Sequence, residues 1–179
     1  MSAHQILILT PGGYPMRWVG IERAVYYIFK DAVLWTPTDV GYVVRGGVNA
    51  ETHLESKLKI PSIMAIRNLE HNDELPRKRK SSRAIFARDG HICAYCGNRF
   101  PDSQLTLDHI IPQAQNGSDD WVNLVSSCFP CNNRKGNRTP EEAQMPLRVV
   151  PYKPTRAQYL NFIQPVKLEC QEQWIESYI

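Results

Sequence analysis

The sequence has no long hydrophobic run. Its N-terminal aliphatic stretch, Ile6–Leu9, contains only four residues. A signal-peptide core needs about 7–15 apolar residues and a membrane-spanning helix about 20, so this stretch predicts neither. We therefore expect a cytoplasmic protein that does not enter a membrane.

The chain also lacks internal repeats and any strong compositional bias. Of its 179 residues, 42% are hydrophobic. That content is enough for a packed core, and it excludes a disordered or collagen-like chain. The length suits one domain, or a compact domain with a smaller attachment.

Cysteines are few, and they are not scattered. Four of the five form two Cys-x-x-Cys pairs with 31 residues between them, and Cys170 stands alone. In a reducing compartment such pairs indicate a metal site rather than disulfides. Four thiolates, from Cys93, Cys96, Cys128 and Cys131, would hold a structural Zn²⁺ in a closed tetrahedral shell. Four reduced cysteines without metal are the alternative, and Cys170 is interpreted as an ordinary half-buried thiol.

Positive charge is modest overall but unevenly distributed. The net charge is +3. Residues 1–75 carry seven Lys/Arg against eight Asp/Glu, net −1, whereas residues 76–145 carry ten against seven, net +3. Between positions 77 and 99, Asp89 is the single acidic residue among seven cations: Arg77, Lys78, Arg79, Lys80, Arg83, Arg88 and Arg99. This concentration favours a polyanionic partner.

The apolar pattern predicts a small α/β region over residues 1–75. Residues 5–10 predict a buried strand followed by a loop, and residues 20–31 have the i, i+3, i+4, i+7 spacing of a helix. Further strands are predicted at 41–45 and 62–66. This region is interpreted as an accessory or substrate-binding part of the protein.

Residues 76–145 predict a second domain. Ala84–Ala87 suits a short helix that ends at Gly90, and Leu105–Leu107 and Asn123–Val125 suit a strand and its return strand. Cys131–Lys135 suits a short helix that ends at Gly136, and Thr139–Glu142 matches a capping box. Residues 146–179 are interrupted by prolines and are predicted to be an extension that packs on the body.

The order of the motifs carries more information than any one of them. The chain reads Cys93-Ala-Tyr-Cys96-Gly, then Leu-Asp108-His109-Ile-Ile-Pro, then Asn123-Leu, then Cys128-Phe-Pro-Cys131-Asn132-Asn-Arg-Lys-Gly. These elements resemble the HNH nuclease family, in its four-cysteine zinc-bearing branch, over roughly residues 88–142. The resemblance implies an α+β fold: a ββα-metal nuclease module with structural zinc knuckles, here preceded by the small α/β region.

The resemblance also implies roles for individual residues. His109 corresponds to the general base that takes a proton from the attacking water, and Asp108 to a ligand of the catalytic metal. Asn123 would orient the His109 imidazole or tie the neighbouring loop to it. Asn132 stands where the family often has its last histidine, and its amide oxygen favours Mg²⁺ or Mn²⁺ as the catalytic ion.

Seven basic residues are predicted to contact the nucleic-acid backbone. They are Arg77, Lys78, Arg79, Lys80, Arg134, Lys135 and Arg138. Lys135 is expected to come nearest to the scissile phosphate. A solvated hinge is the alternative for the run at 77–80, and an exposed helix face is the alternative for Arg138.

Two functions from different classes fit these observations. The first is a metal-dependent endonuclease that hydrolyses DNA, leaving 5′-phosphate and 3′-hydroxyl ends. The second is a zinc-ribbon protein that binds nucleic acid without catalysis. An RNA substrate is not excluded, and the chain could act as a monomer or a homodimer. One chain carries one site, so a monomer is expected to nick a duplex.

Overall fold

The computed structural model describes residues 4–68, 75, 82–164 and 166–179. These residues form a mixed α+β protein, which confirms the predicted fold class. The elements, in chain order, are β1 (Gln5–Leu9), β2 (Pro15–Gly20), α1 (Ile21–Phe29), β3 (Val33–Trp35), β4 (Gly41–Val48), β5 (Glu55–Pro61), β6 (Ile63–Ile66), α2 (Ser82–Arg88), β7 (Leu105–His109), β8 (Leu124–Cys128), α3 (Phe129–Lys135), α4 (Arg156–Ile163) and α5 (Glu169–Glu176).

The chain divides into two compact units. One contains the described residues before position 74 together with Arg156–Ile179, and the other contains those of Glu74–Thr155. The structure thus assigns residues 146–155 to the second unit and 156–179 to the first, whereas 146–179 was predicted to be one extension. The reason is local: Leu147 and Val149 pack into the core of the second unit.

The first unit is organised around β1, which pairs with β2 on one side and with β6 on the other. The sheet order is β2-β1-β6-β3, and β4 and β5 form a separate antiparallel pair. Ile6 and Ile8 pack with α1, whereas Leu7 and Leu9 pack with α4 and α5. Both faces of β1 are therefore covered by helices, which is why this strand has a continuous apolar run rather than an alternating one.

Several parts of this unit, β3 among them, were not predicted. β2 lies in the stretch that was interpreted as a loop, and no strand was predicted where β5 lies. The C-terminal segment forms two helices, and its Gln171 donates hydrogen bonds of 2.8 Å to the carbonyls of Gln5 and Ser62. None of the helices in the described part of the chain has the length and apolar character that a membrane crossing requires.

The second unit contains a ββα arrangement. β7 and β8 are antiparallel, with Leu105 opposite Cys128 and His109 opposite Leu124. α3 follows β8 without a loop and packs against both strands. The capping box at residues 139–142 is present, with Thr139 N donating to Glu142 Oε2 at 2.8 Å, but it closes a single turn rather than starting a helix.

Arg88 has a structural position that its charge did not indicate. Its side chain is fully buried and its guanidinium donates to Asp89 (2.8 Å) and to the carbonyls of Trp121 (2.6 Å) and Leu124 (2.7 Å). Asp89 in turn accepts a hydrogen bond from Ser126 N at 2.7 Å. Arg88 therefore ties α2 to β8 and does not belong to the exposed cations that would face a polyanion.

Candidate functional site

The end of β7 and the second half of α3 line a cleft of about 400 Å³ in the second unit. α3 starts directly after β8, so its residues lie beside the neighbouring strand β7. Asp108, His109 and Asn132 all line this cleft. Three of the four polar residues singled out from the sequence are therefore brought together, although Asp108 and His109 are neighbours on one strand.

Asp108 is buried and both of its carboxylate oxygens accept hydrogen bonds. The hydroxyl of Tyr95 donates to Oδ2, and the ammonium of Lys135 donates to Oδ1 at 3.1 Å. Burial, together with the hydrogen bond to Asp108, raises the pKa of Tyr95 well above its ordinary value. The phenol therefore stays protonated and remains a donor to Asp108.

Lys135 joins the two neighbours at the end of β7. Its side chain is 0% exposed, and Nζ donates to the His109 carbonyl at 2.7 Å as well as to Asp108. Lys135 lies on the face of α3 that packs on β7, and it also lines the cleft. Its ammonium is engaged by Asp108 and by the His109 carbonyl, and the phosphate contact predicted for Lys135 stays a prediction.

His109 is half-buried, and its ring is held by an acidic residue from the following loop. Nε2 lies 2.8 Å from Asp119 Oδ1, and the Gln113 side-chain amide donates to the same oxygen at 3.0 Å. Asp119 is not among the site residues predicted from the sequence. The available signal was weak, because two adjacent acidic residues, Asp119 and Asp120, stand in a polar loop and the pattern does not tell which one faces His109.

Asn123 is buried and organises that loop. Its Oδ1 accepts from Ile111 N at 2.9 Å, and its Nδ2 donates to the carbonyls of Ile111 (3.1 Å) and Ser118 (2.8 Å). Of the two alternatives stated for Asn123, these contacts fit the one in which it ties the loop. Among the described residues, the His109 ring is hydrogen-bonded to Asp119 rather than to Asn123.

Asn132 is half-buried in the middle of α3. Its Nδ2 lies 3.5 Å from Thr106 Oγ1, and its amide oxygen is a candidate metal donor. Asn132 directly follows Cys131, so its backbone is fixed by the neighbouring cysteine cluster.

The four cysteines form one cluster. Their sulfur atoms all lie within 4.8 Å of one another, and Cys93 and Cys128 are buried. A tetrahedral zinc with Zn–S bonds of about 2.3 Å would separate the sulfurs by about 3.8 Å, so the cluster fits such an ion. Gly97 permits the first knuckle, because it has φ +77° and an added Cβ would lie 3.1 Å from Arg148 Cδ.

The thiols of the cluster differ in their readiness to ionise. Burial acts to raise the pKa of Cys93, but hydrogen bonds from the backbone of Cys96, Cys128 and Tyr95 bring it down to about 7. Burial raises the pKa of Cys131. The cluster thus offers one thiol that gives up its proton near neutral pH, as a thiolate ligand must.

The remaining predicted basic residues are only partly described. Arg134 and Arg138 are exposed, and the Arg138 guanidinium donates to the carbonyls of Arg134 (2.5 Å) and Lys135 (3.1 Å). Arg138 therefore caps the C-terminal end of α3. Arg77, Lys78, Arg79 and Lys80 lie outside the described residues.

Comparison with known proteins identifies this domain. Residues 93–138 match the family model of the HNH endonucleases. These residues form an HNH endonuclease domain. The matched range contains the cysteine cluster and the cleft lined by Asp108, His109 and Asn132, which is called the HNH cleft below.

Two relatives with curated descriptions are both named CRISPR-associated endonuclease Cas9. The one from Corynebacterium diphtheriae is 48% identical over 75 residues, which is 38% of this chain and 7% of the relative. The one from Actinomyces naeslundii is 45% identical over 49 residues, which is 27% of this chain and 4% of the relative. The chain therefore spans only a small part of the length of these relatives.

Proposed function

We propose that the protein is a metal-dependent endonuclease that hydrolyses phosphodiester bonds of DNA. The observation that carries this proposal is the convergence of Asp108, His109 and Asn132 on one cleft of an HNH endonuclease domain. A carboxylate, an imidazole and an amide at one site supply a metal ligand, a base and a second oxygen donor.

The donor set of the cleft suits Mg²⁺ or Mn²⁺, which prefer oxygen ligands. Asp108 and Asn132 would hold the ion. Each oxygen of Asp108 already accepts one hydrogen bond, but an ionised carboxylate offers about four acceptor positions and can bind a cation as well. When bound, the cation would neutralise charge that develops on the phosphate and on the leaving 3′-oxygen.

The residues of the chain would carry out the remaining steps. His109 takes the proton of the attacking water, a step for which a neutral imidazole is suited. Lys135 holds Asp108 and the His109 backbone in their relative positions. Arg134, with Arg77–Lys80 as expected from the sequence, would contact the flanking phosphates.

The cysteine cluster would hold Zn²⁺ with a purely structural role. Four sulfur ligands close the shell and leave no position for water. Elemental analysis of protein purified without chelator should find zinc in proportion to the chain. Protein that folds and cleaves without zinc would contradict this part of the proposal.

A supercoiled plasmid incubated with Mg²⁺ or Mn²⁺ tests the function. The wild type should convert it to the nicked form, because the described residues hold one such cleft. His109→Ala should lower the rate by about 100- to 10,000-fold, the usual contribution of a general base, while DNA affinity is retained. Binding without cleavage in the wild type, with any divalent ion, would favour the zinc-ribbon alternative. Cleavage of RNA but not DNA would move the substrate to RNA.

A further inference from the structure

We propose that Asp119 is a positioning residue for His109, which fixes the tautomer of the imidazole and thereby selects Nδ1 as the catalytic nitrogen. This inference rests on the proposed function of the HNH cleft. It adds a residue, and a definite atom, to the catalytic arrangement.

The shared oxygen of Asp119 determines which ring nitrogen carries the proton. Oδ1 of Asp119 lies 2.8 Å from His109 Nε2 and also accepts from the Gln113 amide. An ionised carboxylate can only accept hydrogen bonds, so Nε2 must be the protonated nitrogen. In a neutral imidazole the other nitrogen then holds the free electron pair. In the part of the chain that the structure describes, His109 Nδ1 makes no hydrogen bond.

The pair is partly shielded from water. The side chains of His109 and Asp119 are 18% and 28% exposed. A contact at this depth is less screened than one between fully exposed groups, and it holds the ring more firmly.

The loop geometry explains how Asp119 reaches His109. Asn123 binds the carbonyls of Ile111 and Ser118, so the segment before Asp119 is fixed to the end of β7. Gly117 allows this loop to close, because an added Cβ would lie only 1.7 Å from the Ile111 carbonyl oxygen. The contribution of Asn123 to catalysis would therefore pass in part through Asp119.

The chemical step that follows is balanced. The water oxygen forms a bond to phosphorus while one of its protons moves to Nδ1 of His109. The bond from phosphorus to the 3′-oxygen breaks, and that oxygen keeps the electron pair and takes a proton from solvent. The imidazolium then returns its proton to solvent, and Nε2 stays bound to Asp119 throughout.

The tautomer can be measured directly by ¹⁵N NMR of the imidazole in the folded protein. At pH about 8, where the neutral imidazole is observed, wild-type His109 should show a protonated Nε2 and an unprotonated Nδ1. Asp119→Ala should mix the two tautomers. Asp119→Asn should keep the wild-type tautomer, because its side-chain oxygen can still accept from His109 and Gln113. A wild-type ring protonated at Nδ1 would overturn the proposal without any variant.

Plasmid-nicking kinetics provide the second measurement. Asp119→Ala should lower kcat by about 10- to 100-fold, a loss of the size seen when residues that orient the groups of a metal site are removed, with an unchanged KM for DNA. Asp119→Asn should recover most of that loss. Asp120→Ala is the matched control: it removes an exposed carboxylate one residue away and should leave kcat and the tautomer unchanged.

The two measurements separate the proposals. A protein that cleaves no nucleic acid contradicts the proposed function, whatever the tautomer of His109. A wild type that cleaves, with an Asp119→Ala variant of unchanged kcat, contradicts the role of Asp119 and leaves the proposed function in place.

Discussion

The cysteine cluster and the HNH cleft lie in one domain but are built in opposite ways. The cluster gathers four sulfur atoms within 4.8 Å and is largely buried. The cleft is open, with a volume of about 400 Å³, and it presents oxygen and nitrogen atoms of Asp108, His109 and Asn132. The difference indicates that the cysteine cluster is suited to holding the domain together, whereas the HNH cleft is suited to admitting water and substrate.

Two direct connections join these sites. Cys131 and Asn132 are adjacent on α3, and Tyr95, which stands between Cys93 and Cys96, donates its hydroxyl hydrogen to Asp108. Both residues that would bind the catalytic metal are thus positioned by the knuckles. The closed site therefore supports the geometry of the open one.

Loss of a zinc ligand should have the largest effect. Structural zinc contributes about 10–16 kcal/mol in small zinc-dependent domains, which matches the whole stability of about 5–15 kcal/mol of a typical domain. Cys131→Ser should therefore disorder α3 and abolish nicking even in excess Mg²⁺. The chemical-shift dispersion of the amide signals in NMR spectra measures the disorder, and the plasmid assay measures nicking. Cys170→Ser, which changes the thiol outside the cluster, should keep both zinc and nicking. Full activity of Cys131→Ser would contradict the coupling.

Removal of the buried Lys135 ammonium beside Asp108 should have the next largest effect. Lys135→Met keeps the length of the side chain but leaves a buried carboxylate without its counter-charge, which costs about 3–5 kcal/mol. The free energy of unfolding in urea measures this loss. Arg134→Met removes an exposed charge one residue away and should change stability by less than about 0.5 kcal/mol. Equal effects of the two substitutions would show that Lys135 is not buried against Asp108.

The hydroxyl of Tyr95 should contribute less. Tyr95→Phe removes a single hydrogen bond to a charged group, worth about 1.5–3 kcal/mol, and leaves the ring in place. The variant should keep its zinc but need more Mg²⁺ for half-maximal nicking, because Asp108 is less well held. Tyr152→Phe, with an exposed ring, serves as the control. A lower zinc content in Tyr95→Phe would mean that the substitution acts on the knuckle instead.

Exposed cations should have the smallest effect. Arg134→Ala should weaken DNA binding at low salt and reduce the slope of log affinity against log salt by about 1, because one phosphate contact is lost. Binding measured at several salt concentrations without divalent ions tests this. An unchanged slope would remove Arg134 from the DNA-contacting surface.

Local patterns predicted much of the fold. The apolar spacing of α1 directly indicates a helix with one buried face. The aliphatic run of β1 indicates a strand that is buried on both faces. β2 begins at Pro15 and contains an exposed Arg17, and β5 contains two lysines on its exposed face. These strands are defined by pairing with distant partners, β1 and β4, and single-sequence patterns do not contain that information.

The candidate site shows the same limit. The order of the motifs located Asp108, His109, Asn123 and Asn132. The sequence shows which residues are charged, but it does not show which of them are buried. Lys135 and Arg88 carry the charge expected of phosphate contacts, yet tertiary packing buries both against Asp108 and Asp89. The contacts of Asp119 with His109 and of Tyr95 with Asp108 form only when the loop and the knuckle fold against β7. Their roles depend on contacts across 10 and 13 positions of the chain.

The most direct test of the two-site account is a brief dialysis against EDTA, followed by measurement of zinc content and plasmid nicking in the same sample. A closed four-sulfur shell should retain its zinc, whereas an oxygen site open to solvent should lose its cation. The account predicts that zinc remains in proportion to the chain, that nicking stops, and that Mg²⁺ alone restores it. Nicking that persists without added Mg²⁺ or Mn²⁺, or that returns only when zinc is added, would contradict it.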